Sequence, residues 1–114
     1  MKIVTTFTAD IYIGTRAGYD GEENHTAAYI WLQKYCDDKG FAVTIQKLDF
    51  IYTNGSESGY RIGLINYPRF PCSPAEIIKD AGEIAYSLMG KLKQERCTIV
   101  TPDRTYMLES ENID

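Results

Sequence analysis

Three arginines stand where a chain most often keeps its chemistry, at the ends of predicted elements rather than inside them. Arg16 follows a strand that runs into a glycine-bearing loop, Gly14-Thr15-Arg16-Ala17-Gly18-Tyr19-Asp20-Gly21. Arg69 and Phe70 lie between Pro68 and Pro71, whose fixed φ stiffens the backbone. Arg96 separates the second predicted helix from the last two strands. A guanidinium presents a planar fork of donors that matches a phosphate or carboxylate, and an aromatic ring presents a plane for a base. Together Arg16, Arg69, Phe70 and Arg96 suit a compact, phosphorylated, base-bearing ligand. Taken singly, each arginine also suits a solvated surface, and Phe70 a core.

The residue sets of hydrolytic and metal-assisted catalysis do not assemble in the sequence. His25 is the single histidine, and its place near a helix start reads as surface. No His-x-Thr pair of the small phosphodiesterases is present, and Glu22-Glu23 and Asp37-Asp38 are adjacent pairs whose side chains diverge on a helix. Cys36, Cys72 and Cys97 are odd in number, widely spaced and without a C-x-x-C pair, so they read as reduced thiols that pack as small hydrophobes. The stretch Asn54-Gly55-Ser56-Glu57-Ser58-Gly59 lacks the Gly-Lys-Ser/Thr ending of a phosphate-cradling loop and reads as a hairpin turn. From these absences we expect no catalytic residue, no metal, no cofactor, and a protein that holds its ligand and is not an enzyme.

A formal net charge of -4 and a pI near 5.0 argue against a long nucleic acid as partner, because that binding neutralises many phosphates at once. A small anionic ligand needs only two or three well-placed arginines and stays allowed. No apolar stretch approaches the roughly 20 residues that cross a bilayer, and the N-terminus reads as a strand without a signal-peptide core. The expected location is therefore the cytoplasm, with no membrane partner. At 114 residues the chain is expected to form one domain over residues 1–109, with a loose acidic tail at 110–114. Its small core makes self-association, as a dimer or higher, an economical way to bury more surface.

The elements that must position these residues follow from periodicity. Ile3, Thr5, Phe7, Ala9, Ile11 and Ile13 alternate as one face of a strand. A helix is predicted over residues 22–38, with Ala27, Ala28, Ile30, Trp31 and Tyr35 gathered near one side and Gly40 as its stop. Phe41, Val43 and Ile45 share one parity and Leu48, Phe50 and Tyr52 the other, which predicts a β-bulge near Gln46-Lys47. Residues 53–59 read as a hairpin loop, after which Tyr60, Ile62 and Leu64 resume the alternation. Ser73, Pro74 and Glu76 form a capping box before the apolar stripe Ile77, Ala81, Ile84, Ala85, Leu88 and Leu92. A terminal hairpin turns at Pro102-Asp103-Arg104. The order is β-α-β-β-α-β-β, and the expected fold class is α+β, an antiparallel sheet with both helices packed on one face.

Taken in order, the segments Gly14-Thr15-Arg16, Ile65-Asn66-Tyr67-Pro68-Arg69-Phe70-Pro71, Ser73-Pro74-Ala75-Glu76 and Gln94-Glu95-Arg96-Cys97-Thr98-Ile99-Val100 resemble the phage Thoeris anti-defence proteins that act as sponges for cyclic ADP-ribose isomers. The resemblance implies a protein that binds and sequesters that signal in the host cytoplasm without cleaving it. It extends to cyclic di- and trinucleotides at sites formed on assembly. It would place phosphate binding on Arg16 and Arg96 and base stacking on Phe70. Asp80 stands nearest to an asparagine of that family; a carboxylate there would repel phosphate and suits only the ribose or adenine side. Two other readings stay open: a small cyclic-nucleotide hydrolase, and an interaction module that inhibits a host protein through its nine tyrosines.

Overall fold

The computed structural model describes residues 1–16 and 26–110. Five strands, β1 (Thr8–Gly14), β2 (Thr44–Tyr52), β3 (Gly55–Ile65), β4 (Arg96–Val100) and β5 (Thr105–Glu109), alternate with helices α1 (Thr26–Lys39) and α2 (Pro74–Leu92) in the expected order. They form one antiparallel sheet, ordered β2-β3-β1-β4-β5. The fold is α+β, as the periodicity predicts.

The core lies between one sheet face and the helices. Ala9, Ile11 and Ile13 of β1, Tyr60, Ile62 and Leu64 of β3, and Cys97 and Ile99 of β4 are buried against Ile77, Ala81, Ile84, Ala85, Leu88 and Leu92 of α2. α2 starts as its sequence dictates. The Ser73 hydroxyl accepts from the Glu76 backbone N–H at 3.2 Å, the Glu76 carboxylate accepts from the Ser73 N–H at 3.4 Å, and Pro74 fills the first turn. It ends at Lys93, whose φ of 54° and ψ of 48° place it in the left-handed region. α1 covers less of the sheet: Ala28 and Leu32 are buried, and Tyr29 meets Tyr60 edge-on at 5.7 Å. Gly40, at φ 67°, closes α1 by donating to the Cys36 carbonyl at 2.9 Å.

Several boundaries differ from the periodicity. β1 begins at Thr8 rather than at the N-terminus, because its partner β3 ends at Ile65 and the chain then turns at Pro68; Ile3 is exposed. Ile30 points to water, while Trp31 and Tyr35 stack on each other at 5.1 Å. The predicted bulge in β2 is absent, since the register runs unbroken from Thr44↔Gly63 to Tyr52↔Gly55. The parity change there reflects an edge strand with apolar contacts on both faces. Ile45 pairs with Ile62 toward the helices, whereas Phe50 and Tyr52 lie across Gly59 and Gly55 on the other face. A Cβ at Gly59 would come within 2.3 Å of the Phe50 ring, so this glycine belongs to the strand. The turn is correspondingly tighter than the predicted 53–59 loop: Thr53 and Asn54 suffice, with Asn54 at φ 64°.

Candidate functional site

The sequence around β1 explains how a site forms at the C-terminal end of α2. Thr15, fully buried, donates from both its N–H and its hydroxyl to the Ser58 carbonyl, each at 3.1 Å, and so extends the β1–β3 pairing past Gly14. Arg16 follows, and its guanidinium donates to the Ser56 carbonyl at 3.4 Å. From the other side the Gln94 side-chain amide donates to the Arg16 carbonyl and, at 3.0 Å, to that of Leu92. Gln94 can reach because Lys93 turns the chain out of the helix, the Gln94 N–H donating back to the Met89 carbonyl at 2.8 Å. The end of β1 and the end of α2 are thereby locked together.

A cleft of about 600 Å³ opens at this junction, walled by Arg16, Tyr52, Glu57, Lys93, Gln94, Glu95 and Arg96. Gly14 lies under two of these side chains. A Cβ on Gly14 would sit 2.7 Å from a Glu57 carboxylate oxygen and 2.9 Å from the Gln94 side-chain oxygen, so the missing side chain lets these two acceptors converge over the backbone. Among the described residues the Glu57 carboxylate has no hydrogen-bond donor or ion-pair partner. Arg96 stands at the rim with its side chain 66% exposed, only loosely paired with Glu109 at 3.9 Å. The cleft thus gathers three cations and two carboxylates. An arrangement of that kind can orient a small molecule bearing charges of both signs.

Arg16 and Arg96 therefore converge, although 80 positions separate them in the chain. Phe70 and Asp80 do not join them. They line a separate recess of about 300 Å³ near the start of α2, with Lys39, Phe41, Cys72 and Glu76. From Asp80 to Lys93 the helix rises roughly 20 Å, which rules out one small ligand touching both groups within one chain. Arg69 is exposed on the turn beside Phe70, whose ring packs on Tyr67 at 5.4 Å. In the recess, Lys39 donates to Asp80 at 2.6 Å and lies 3.5 Å from Glu83. The hydrogen bond to Asp80 holds the Lys39 ammonium well above its ordinary pKa. Burial pushes the Cys97 thiol up to about 11, and desolvation, aided by Glu76 and Asp80, raises the Cys72 thiol, so both stay protonated near neutrality. His25 and the Glu22-Glu23 pair lie outside the described residues, as do 111–114 of the expected tail.

Sequence reasoning passed over Glu57, Gln94 and Lys93. The available signal was Gly14, a glycine ending a strand whose partner would have to bring a side chain across it.

No protein-family model matches the chain, and no curated protein matches it either. Solved structures do. A phage SAM lyase in its apo state superposes with a TM-score of 0.79 over 95% of this chain and 92% of its own, at 15% identity. A phage SAM lyase in complex with S-methyl-5'-thioadenosine superposes with a TM-score of 0.70 over 96% of this chain and 93% of its own, also at 15% identity. The fold is shared with a phage SAM lyase.

This finding corrects the expectation that the chain is not an enzyme. That expectation came from the missing histidine pairs, nucleophile–base sets and metal clusters, which are the equipment of hydrolysis. A bond broken by displacement within the bound substrate consumes no water, so the absence of hydrolytic sets does not exclude catalysis in a fold of this kind. Among the described residues no helix is long and apolar enough to cross a membrane.

Proposed function

We propose that the cleft at the C-terminal end of α2 binds an adenosine-bearing zwitterion of the S-adenosylmethionine kind, and that the chain is a lyase acting on it. The observation that carries this reading is the mixed charge of one cleft, Arg16, Lys93 and Arg96 facing Glu57 and Glu95, at the end of the helix. S-adenosylmethionine presents a carboxylate, an ammonium and a sulfonium. Arg16 and Arg96 suit the carboxylate, and Glu57 and Glu95 suit the ammonium. A purely anionic ligand would gain from the arginines but would meet two carboxylates beside them.

Cleavage of the sulfur–carbon bond on the amino-acid side leaves the bonding pair on sulfur, which turns from sulfonium into the neutral thioether of S-methyl-5'-thioadenosine. An oxygen of the substrate's own carboxylate supplies the pair for a new bond to the released carbon, closing a lactone with no water consumed and no proton moved. The chain's own part is to hold the amino-acid portion by both of its charged groups, so that this bond is fixed in one conformation. The shared fold, and the thioadenosine held by one of the solved lyases, support the reading and a phage origin with it. The test is direct. Purified protein incubated with S-adenosylmethionine should release S-methyl-5'-thioadenosine at a rate proportional to protein concentration, followed by liquid chromatography. A rate equal to the protein-free control would overturn the assignment.

A second reading draws on the same cleft. Three cations around one opening also suit the two phosphates of a cyclic ADP-ribose isomer, as the resemblance to Thoeris anti-defence proteins implies for Arg16 and Arg96. In that reading the protein binds and withholds the signal, cyclic oligonucleotides being further candidates. Titration calorimetry with a cyclic ADP-ribose isomer and with S-adenosylmethionine separates the two, because only the favoured ligand should bind tightly at physiological salt.

A further inference from the structure

The charged cleft shares its wall of Lys93, Gln94 and Glu95 with a second opening of about 660 Å³, whose other side is formed by Tyr86, Met89 and Gly90 of α2. That volume lies within the range of small-molecule sites. Two features of this face have no explanation inside the chain. Tyr86 is 52% exposed, and among the described residues neither its ring nor its hydroxyl has a partner. Gly90 lies in the helical part of α2 without a positive φ, and a Cβ there would meet nothing within 4 Å. A glycine weakens a helix relative to alanine, and neither conformation nor packing within the chain calls for one here. Tyr86 and Gly90 are four positions apart, so they are neighbours on one helix surface. They form a flat step: an aromatic plane beside bare backbone.

Resting on the function proposed above, we infer that the adenine ring of the substrate lies in this second opening, stacked on Tyr86 and over the backbone at Gly90. The amino-acid portion then crosses the Gln94 ridge into the charged cleft. A base has two flat, weakly polar faces and gains most from an aromatic plane and from backbone it can approach closely. The charged cleft offers only Tyr52 for this purpose, and Tyr52 is already laid over Gly55.

The experiment uses S-methyl-5'-thioadenosine as probe, which carries the base but no amino-acid charges, and measures its Kd by calorimetry for the full chain and three variants. Gly90→Gln fills the step and should weaken binding at least tenfold. Tyr86→Ala removes the plane and should weaken it roughly five- to a hundredfold, as for other lost stacking contacts. Ala75→Gln is the control, because Ala75 lies on the same helix, is exposed three turns before Tyr86 and lines neither opening; its affinity should match wild type. Circular dichroism confirms that each variant is folded. Wild-type affinity in Gly90→Gln, or equal weakening in Ala75→Gln, would overturn the placement of the base while leaving turnover of S-adenosylmethionine by the unaltered chain as a separate result. No binding of the probe by the unaltered chain would sink the proposed function itself.

Discussion

At the N-terminal end of α2, Lys39 is held by Asp80 at 2.6 Å and flanked by Glu83 at 3.5 Å, and its ammonium lies 5.4 Å from the Tyr35 ring centroid. The same half of the helix opens with the Ser73–Glu76 capping box. At the C-terminal end, Glu57 and the Gln94 side-chain oxygen converge over Gly14, while Arg96 leans out at the rim. Both ends bring acids and bases together. At the first the charges satisfy one another, so the group contributes to the fold and has little left to offer a ligand. At the second, Glu57 has no ionic partner among the described residues and Arg96 is only loosely paired at 3.9 Å, so both keep charge to offer a ligand. The difference teaches that charge content does not mark a site; unspent charge does.

The comparison breaks most visibly at Arg96. Arg96→Ala should weaken binding of S-adenosylmethionine by about 1.5–3 kcal/mol, as for a lost charge-assisted contact. Its thermal unfolding should stay within about 0.5 kcal/mol of wild type, because the side chain is largely in water. Asp80→Ala should do the reverse. It removes the partner of Lys39, which is 42% exposed and can return to water, so the fold should lose about 1–2 kcal/mol in urea while substrate turnover is unchanged. If Asp80→Ala abolished turnover in folded protein, the two ends would not be independent.

Gly14→Ala sharpens the contrast further. The new methyl would displace only the far ends of Glu57 and Gln94, so the fold should survive, yet the affinity for S-adenosylmethionine should fall about tenfold, near 1.4 kcal/mol. Unchanged affinity would show that the placement of Glu57 and Gln94 over Gly14 does not matter to the site. The smallest effect concerns pH. The folded pKa of Lys39 is raised, so the stability its pairing supplies is fully present below the unfolded lysine value of about 10.4 and is lost only as pH rises through the folded one. The stability gap between wild type and Asp80→Ala should therefore be flat from pH 6 to about 10 and narrow above it. A gap that closed near pH 8 would assign it to another group.

What could be read from the sequence divides along the same line. The N-terminal end of α2 is local: Ser73, Pro74, Glu76 and the apolar stripe after them lie within a few turns, and their meaning survives without the rest of the chain. The hairpin at Asn54 was readable in kind but not in length, because only the register shows Phe50 covering Gly59. The cleft is the opposite case. Arg16 and Arg96 could be picked out as residues at element ends, but the hydrogen bond from Gln94 to Arg16 spans 78 positions and has no local signature. Glu57 was read as part of a turn, when it stands two residues inside a strand. Phe70 groups with the arginines by residue type and by its place at an element end, and the length of α2 keeps it away from Arg16 and Arg96. Whether a fold of this kind carries catalysis was beyond a search for hydrolytic residue sets.

The position of β1 bears on how the molecule comes into being. It is the first strand in chain order yet stands third across the sheet, paired with β3 at Thr8↔Ile65 and with β4 at Asp10↔Val100. Contacts of such long sequence separation form late and slow a folding reaction. On the ribosome, β1 emerges early and must wait, one edge unfilled, until some 90 further residues have been made; α2, whose start is written locally, can form well before that. The cleft is completed by the last of these events, since its Arg96 opens β4. A protein stalled short of β4 would carry most of its core, with Arg16, Tyr52 and Glu57 already in place, and a cleft that lacks Arg96.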